Sequence, residues 1–156
     1  MAQIEVVRQR VIQADPEDVF DALADYREVH PRLLPEQFTD YELREGGDGA
    51  GTVVHVLFKA TEKRVRDCLL EVSEPEKGTL VEKDRNSTLV TTFTVAPAPG
   101  EGGKTGSRVT IRTTWQGAGG VGGFFERLFA PRALASVYDR VLANLAAEMA
   151  RQEPGR

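Results

Sequence analysis

The feature that most constrains this chain is a change of hydrophobic period. Between Phe38 and Gln116 apolar residues recur at every second position, in segments bounded by Gly, Pro, Asn and Asp. Alternation of this kind belongs to strands with one dry and one wet face. The segments fall at roughly 37–45, 52–60, 62–73, 79–84, 88–96 and 107–116. Turn chemistry separates them: Gly46-Gly47-Asp48-Gly49-Ala50-Gly51, Glu74-Pro75-Glu76-Lys77-Gly78, Asp84-Arg85-Asn86-Ser87, and the stretch from Ala96 to Gly106. Connections this short join antiparallel neighbours, because parallel strands need a longer crossover. The clearest alternation comes late. Leu89, Phe93 and Val95 share a face, as do Val109, Ile111 and Trp115 with Thr113 between them, while Thr110, Arg112 and Thr114 point to water.

The two ends of the chain complete the pattern. Gln3 to Gln13 reads as a further strand, with Ile4, Val6 and Ile12 on one face and Val7 and Val11 on the other. Asp15-Pro16-Glu17-Asp18 is a helix start: Asp15 caps free amides, Pro16 suits the first helical position, and the acids favour the positive end of the dipole. That helix carries Val19, Phe20 and Leu23 on one face and ends near Asp25. Residues 26–35, with Pro31 and Pro35, leave room for one short helical turn. From about residue 121 to 150 the period becomes helical. Phe125 and Phe129, then Leu134, Tyr138, Val141, Leu142, Leu145 and Met149, form an apolar stripe opposite Arg132, Ser136, Arg140 and Asn144, with a kink expected at Pro131.

Composition sets the class. At 156 residues with a net charge of −4, the chain is long enough for one real core and lacks the basic footprint of a nucleic-acid binder. A lone cysteine, Cys68, fits a reducing compartment. The start MAQIEVVRQR has no signal-peptide core, and no 18-residue apolar run occurs, so a cytoplasmic protein without stable membrane insertion is expected. The expected domain is 1–150, with 151–156 as a frayed tail, in a monomer or homodimer.

Strand, helix, helical turn, six strands and long helix is an α+β order. With Ala14-Asp15-Pro16-Glu17-Asp18-Val19-Phe20-Asp21-Ala22-Leu23-Ala24-Asp25 early, and Phe124-Phe125-Glu126-Arg127-Leu128-Phe129-Ala130-Pro131-Arg132-Ala133-Leu134 running into Tyr138 late, the chain resembles the START-like (SRPBCC, helix-grip) superfamily. Within it, the resemblance is to the polyketide cyclase/dehydrase and lipid-transport branch, from about residue 3 to 150. The resemblance implies a curved seven-stranded antiparallel sheet wrapped around the C-terminal helix, with a cavity between them for apolar or aromatic molecules. Where many relatives carry tryptophans after the first helix, this chain reads His30-Pro31-Arg32-Leu33-Leu34-Pro35.

Other constellations point to no chemistry. Gly117-Ala118-Gly119-Gly120-Val121-Gly122 matches a dinucleotide fingerprint, but no second parallel strand follows, so it reads as a strand-to-helix hinge and no cofactor is expected. His30, His55 and Cys68 stand too far apart in sequence for a metal set, and no metal is expected. His55 reads as a packed or edge histidine, Cys68 as a small buried hydrophobe, and Asn86-Ser87-Thr88 as a turn. Lys59, Glu62, Lys63, Arg64, Arg66 and Asp67 read as a solvated hairpin, the alternative being one arginine over an anionic head group.

The expected pocket lies between helix and sheet. Leu33 and Leu34 border it from the turn, Val56, Phe58, Phe93 and Trp115 from the strands, and Phe125, Phe129 and Tyr138 from the helix. The reading is a binding or transport module for an apolar or aromatic small molecule. The alternative is a cyclase or aromatase-type enzyme in the same cavity, for which Tyr138, His30 and Asp67 are the acid–base candidates and no obvious pair stands out.

Overall fold

A computed structural model describes residues 3–61, 64–116 and 131–152. The elements are β1 (Gln3–Ile12), α1 (Pro16–Ala24), α2 (Val29–Leu33), β2 (Phe38–Glu45), β3 (Val53–Thr61), β4 (Arg64–Glu76), β5 (Thr79–Asp84), β6 (Val90–Pro99), β7 (Thr105–Gln116) and α3 (Pro131–Gln152), with a 3-10 turn at Glu101–Gly103. The seven strands form one curved antiparallel sheet in the order β1-β7-β6-β5-β4-β3-β2, so β1 and β2 are its edges. This is the α+β helix-grip fold. The Phe125–Phe129 pair, the Pro131 kink and the Gly117–Gly122 hinge fall wholly or partly outside the described residues.

Alternation decides which face is dry. Val6 and Ile12 of β1 are buried while Val7 and Val11 are exposed. Val109, Ile111, Thr113 and Trp115 of β7 are buried too. Thr114 departs from the expected wet face and is buried. It sits between Glu5 of β1 and Val90 of β6, where a short side chain is shaded by longer neighbours. Asp40 adopts φ +54° where the β2–β3 register shifts between Thr39 and Glu42, a bulge that bends the edge strand.

The helices close the dry face. Asp15 accepts from the Glu17 amide at 3.0 Å and Pro16 opens α1, the start that the sequence specifies. In α3 the stripe Leu134, Tyr138, Val141, Leu142, Leu145 and Met149 is buried. Two residues of α3 break the amphipathic reading. Asn144 donates to the Leu33 carbonyl at 2.9 Å, and buried Glu148 accepts from Arg32 at 3.1 Å and Gln152 at 2.9 Å and pairs with Arg151. Both tie α3 to the end of α2 or to its own last turn. Arg8 grips Asp139 with two bonds of 2.8 and 2.9 Å, fixing α3 to the edge strand β1. Among the described residues, no helix is long and apolar enough to cross a membrane.

Candidate functional site: a hollow with a buried carboxylate

The junction between α1 and α2 is held to the sheet by backbone bonds. Gly46–Gly51 folds against it: Tyr26 N donates to Gly47 O at 3.0 Å, and Gly49 N donates to Ala24 O at 2.9 Å. Gly46 has φ +69°, and a Cβ there would lie 2.8 Å from the Thr52 backbone, so only glycine makes this approach. The Asp25 carboxylate accepts from the amides of Arg27 and Glu28 at 3.1 and 3.0 Å, and Asp25 O accepts from His30 N at 2.8 Å. These contacts aim Tyr26 and His30 inward over the sheet.

Opposite them, register aligns polar side chains across three strands. Glu82 of β5 pairs with Thr91 of β6, which pairs with Thr113 of β7. All three sit on the dry face. Glu82, 7% exposed, accepts from the Tyr26 hydroxyl at 2.7 Å, and its Oε2 lies 3.3 Å from His30 Nε2. His30, 3% exposed, has Nδ1 2.8 Å from the Leu23 carbonyl, stacks on Tyr26 with ring centroids 4.2 Å apart, and meets Phe93 edge-on at 5.6 Å. Thr91 and Thr113 hydroxyls are 2.8 Å apart, and Thr113 bonds the Tyr138 hydroxyl from α3. Burial pushes the Tyr138 hydroxyl up to about 12, against the lowering effect of its threonine partners, and raises Tyr26 well above its ordinary value. Both phenols keep their protons at neutral pH.

Between these groups lies a hollow of about 60 Å³. Its apolar wall includes Leu34, Val56, Phe58 and Phe93, with Phe38 and Phe58 rings 4.9 Å apart, and Tyr138, Leu134 and Val141 roof it from α3. The volume holds a few waters or part of a ring, so a larger guest enters by displacing side chains.

Of the residues read from sequence, Leu34, Val56, Phe58, Phe93 and Tyr138 line this hollow. Leu33 and Trp115 do not. Leu33 is packed in the solid core, and Trp115 lies past the β6–β7 ladder, which begins at Val90 and Thr114. Phe125 and Phe129 are outside the described residues. His30, read as an acid–base candidate, stands deep in the wall. Asp67 is not an inward acid: it is 62% exposed and bonds His55 Nε2 at 2.7 Å on the outer face, because its neighbour Cys68 takes the inner one. His55 is on an interior strand, between β2 and β4. Cys68 is buried in the wall, its thiol pushed up to about 12 mainly by burial, and so is not nucleophilic. Neither Arg64 nor Arg66 lines the hollow.

Tyr26, Glu82, Thr91 and Thr113 were missed by sequence reading. One signal was present. Leu80, Glu82 and Asp84 share a face by alternation, so an acid stood two residues from a core leucine. Asp84, also buried, is structural: it accepts from the Leu69 and Asn86 amides at 2.9 and 3.1 Å and from the Ser87 hydroxyl at 2.6 Å, tying down the Asn86-Ser87-Thr88 turn.

Comparison with known proteins agrees with the fold. Among curated proteins, none matches the chain. The solution structure of KanY protein is 45% identical, with a TM-score of 0.84, over 96% of this chain and 99% of that one. TTHA0849 from Thermus thermophilus is 19% identical with a TM-score of 0.74, covering 96% and 99% of the two chains. The di-domain ARO/CYC BexL of the BE-7585A biosynthetic pathway shares the fold at 19% identity and a TM-score of 0.67. It aligns with 99% of this chain and 51% of its own. A family profile described as polyketide cyclase/dehydrase and lipid transport matches residues 3–150. The chain therefore belongs to the polyketide cyclase/dehydrase and lipid-transport family of the START-like superfamily.

Proposed function

We propose that the protein binds a small aromatic or apolar molecule in the hollow between sheet and α3. The observation that carries this reading is a ring-lined hollow beside the core into which a few fixed polar groups project. Such a wall supplies affinity through burial and orientation through few hydrogen bonds. Native mass spectrometry of gently purified protein tests it: a co-purified mass of small-molecule size supports the reading and gives the ligand class. Paired melting and binding on Tyr138→Phe add residue resolution. Folding should change by less than about 1.5 kcal/mol while affinity falls several-fold, because one polar handle and little volume are lost. Unchanged affinity removes Tyr138 from the site.

A second reading, a cyclase or dehydratase-type enzyme, is favoured by the closeness of His30 and Glu82 in the wall, an acid–base pair that sequence did not reveal. In that reading the Glu82 carboxylate takes a proton from carbon beside a carbonyl, and the Tyr138 or Thr91 hydroxyl hydrogen-bonds the carbonyl oxygen as negative charge develops. Deuterium exchange into an enolisable aryl ketone, abolished by Glu82→Gln, distinguishes this reading from simple binding.

A further inference from the structure

We infer that Glu82 sets the specificity of the hollow, which selects a neutral ligand carrying a hydroxyl or N–H donor and rejects carboxylates; this rests on the binding reading above. The contacts around Glu82 can be counted. A backbone oxygen only accepts, so His30 Nδ1, 2.8 Å from Leu23 O, carries a hydrogen. His30 Nε2 then faces Glu82 Oε2 at 3.3 Å. That is an ion-pair distance, and it sets the basic ring of His30 against that carboxylate oxygen. The Tyr26 hydroxyl donates to the same oxygen. Both contacts fall on Oε2, and Glu82 Oε1 remains an acceptor. Among the described residues no hydrogen bond reaches it.

The hydroxyl row on the other side supplies the complement. Thr91, Thr113 and Tyr138 form two hydrogen bonds from three hydroxyls, which leaves one hydrogen at one end, and both ends face the hollow. The wall thus offers one acceptor and one donor. A ligand hydroxyl satisfies both, donating to Glu82 and accepting from the row. A ligand carboxylate sets acceptors and charge against Glu82, and among the described residues no Arg or Lys lines the hollow to compensate it. An ammonium group gains little, because it brings three donors and a full charge to an apolar hollow whose wall offers one open carboxylate oxygen.

Calorimetric titration of the whole chain at neutral pH with naphthalene, 2-naphthol, 2-naphthoate and 2-naphthylmethylammonium tests this. The expected order is 2-naphthol about 5- to 10-fold tighter than naphthalene, the ammonium no tighter than naphthalene, and 2-naphthoate weakest. In Glu82→Gln, with folding checked by its melting curve, the preference for 2-naphthol over 2-naphthoate should shrink at least several-fold. Naphthoate or ammonium binding as tightly as naphthol overturns the inference and leaves the binding reading standing. So does an unchanged preference in folded Glu82→Gln. Should none of the four bind, naphthalene included, the binding reading falls and the inference with it. The wild-type order decides the matter even where the variant does not fold.

Discussion

Two neighbouring rows of side chains cross the dry face of the sheet, two residues apart on each strand. Leu80, Phe93 and Ile111 form one; Glu82, Thr91 and Thr113 form the other. They share backbone, register and twist. In the first row Leu80 and Ile111 are fully buried in the close-packed core, and only Phe93 also reaches the hollow's wall. In the second, Glu82 and Thr91 border the hollow, and Thr113 holds Tyr138 there. Apolar side chains have no directional partner to keep, so they pack until they fill space. A buried carboxylate or hydroxyl must instead hold a partner at hydrogen-bond distance. Tyr26 and His30 on one side and Tyr138 on the other are pinned to the second row, and pinned groups cannot collapse inward. The hollow is thus a product of polar constraint, not of missing bulk.

The largest test of that contrast is truncation on both sides of it. Leu145→Ala, in the solid half, should cost about 3–5 kcal/mol in denaturant unfolding, because a new cavity opens in packed surroundings. Leu134→Ala, whose side chain already borders the hollow, should cost nearer ~2 kcal/mol. Equal costs would mean that the two halves are packed alike.

A smaller effect separates a structural buried acid from a functional one. Asp84→Ala strands two donors in the β5–β6 turn and the Leu69 amide of β4, and should cost about 1–3 kcal/mol with no change in naphthol affinity. Glu82 and Asp84 are two residues apart on one face, so a loss of binding in folded Asp84→Ala would blur the distinction drawn between them.

The smallest effect is one of pH. Hydrogen bonds from Gln152, then Arg32 and Arg151, hold Glu148 below the usual carboxylate range, against its burial. A carboxyl depressed in the folded state adds stability above its unfolded value, and that stability is lost as pH falls through the folded value. The stability gap between wild type and Glu148→Gln should therefore be widest near neutrality, at about 1 kcal/mol, and close as pH falls through and below the usual carboxylate range. A gap independent of pH would show that the clamp from α2 to α3 is not electrostatic.

Much of the fold was legible because it depends on local period. The alternation from Phe38 to Trp115, the Asp15-Pro16 start and the α3 stripe each specify an element and the face it buries, and the observed strands follow. The apolar wall was partly legible for the same reason: Val56, Phe58, Phe93 and Tyr138 lie on dry faces. The polar wall was not. Glu82 could be placed inward by alternation with Leu80, but its partners Tyr26 and His30 lie more than fifty residues away, as the Tyr26–Glu82 separation of 56 illustrates. Only register and docking of the α1–α2 junction bring them together. Asp67 misled for the converse reason, since its acid character was read without its parity against Cys68.

The most direct test is where a guest sits. Nuclear Overhauser contacts between 2-naphthol and methyl or ring protons of the protein would locate it. Contacts to Phe58, Phe93, Leu134 and Tyr138 are expected, and none to Val109 or Leu145 in the solid half. Contacts confined to the outer surface, or to the solid half, would contradict a ligand site built on the second row.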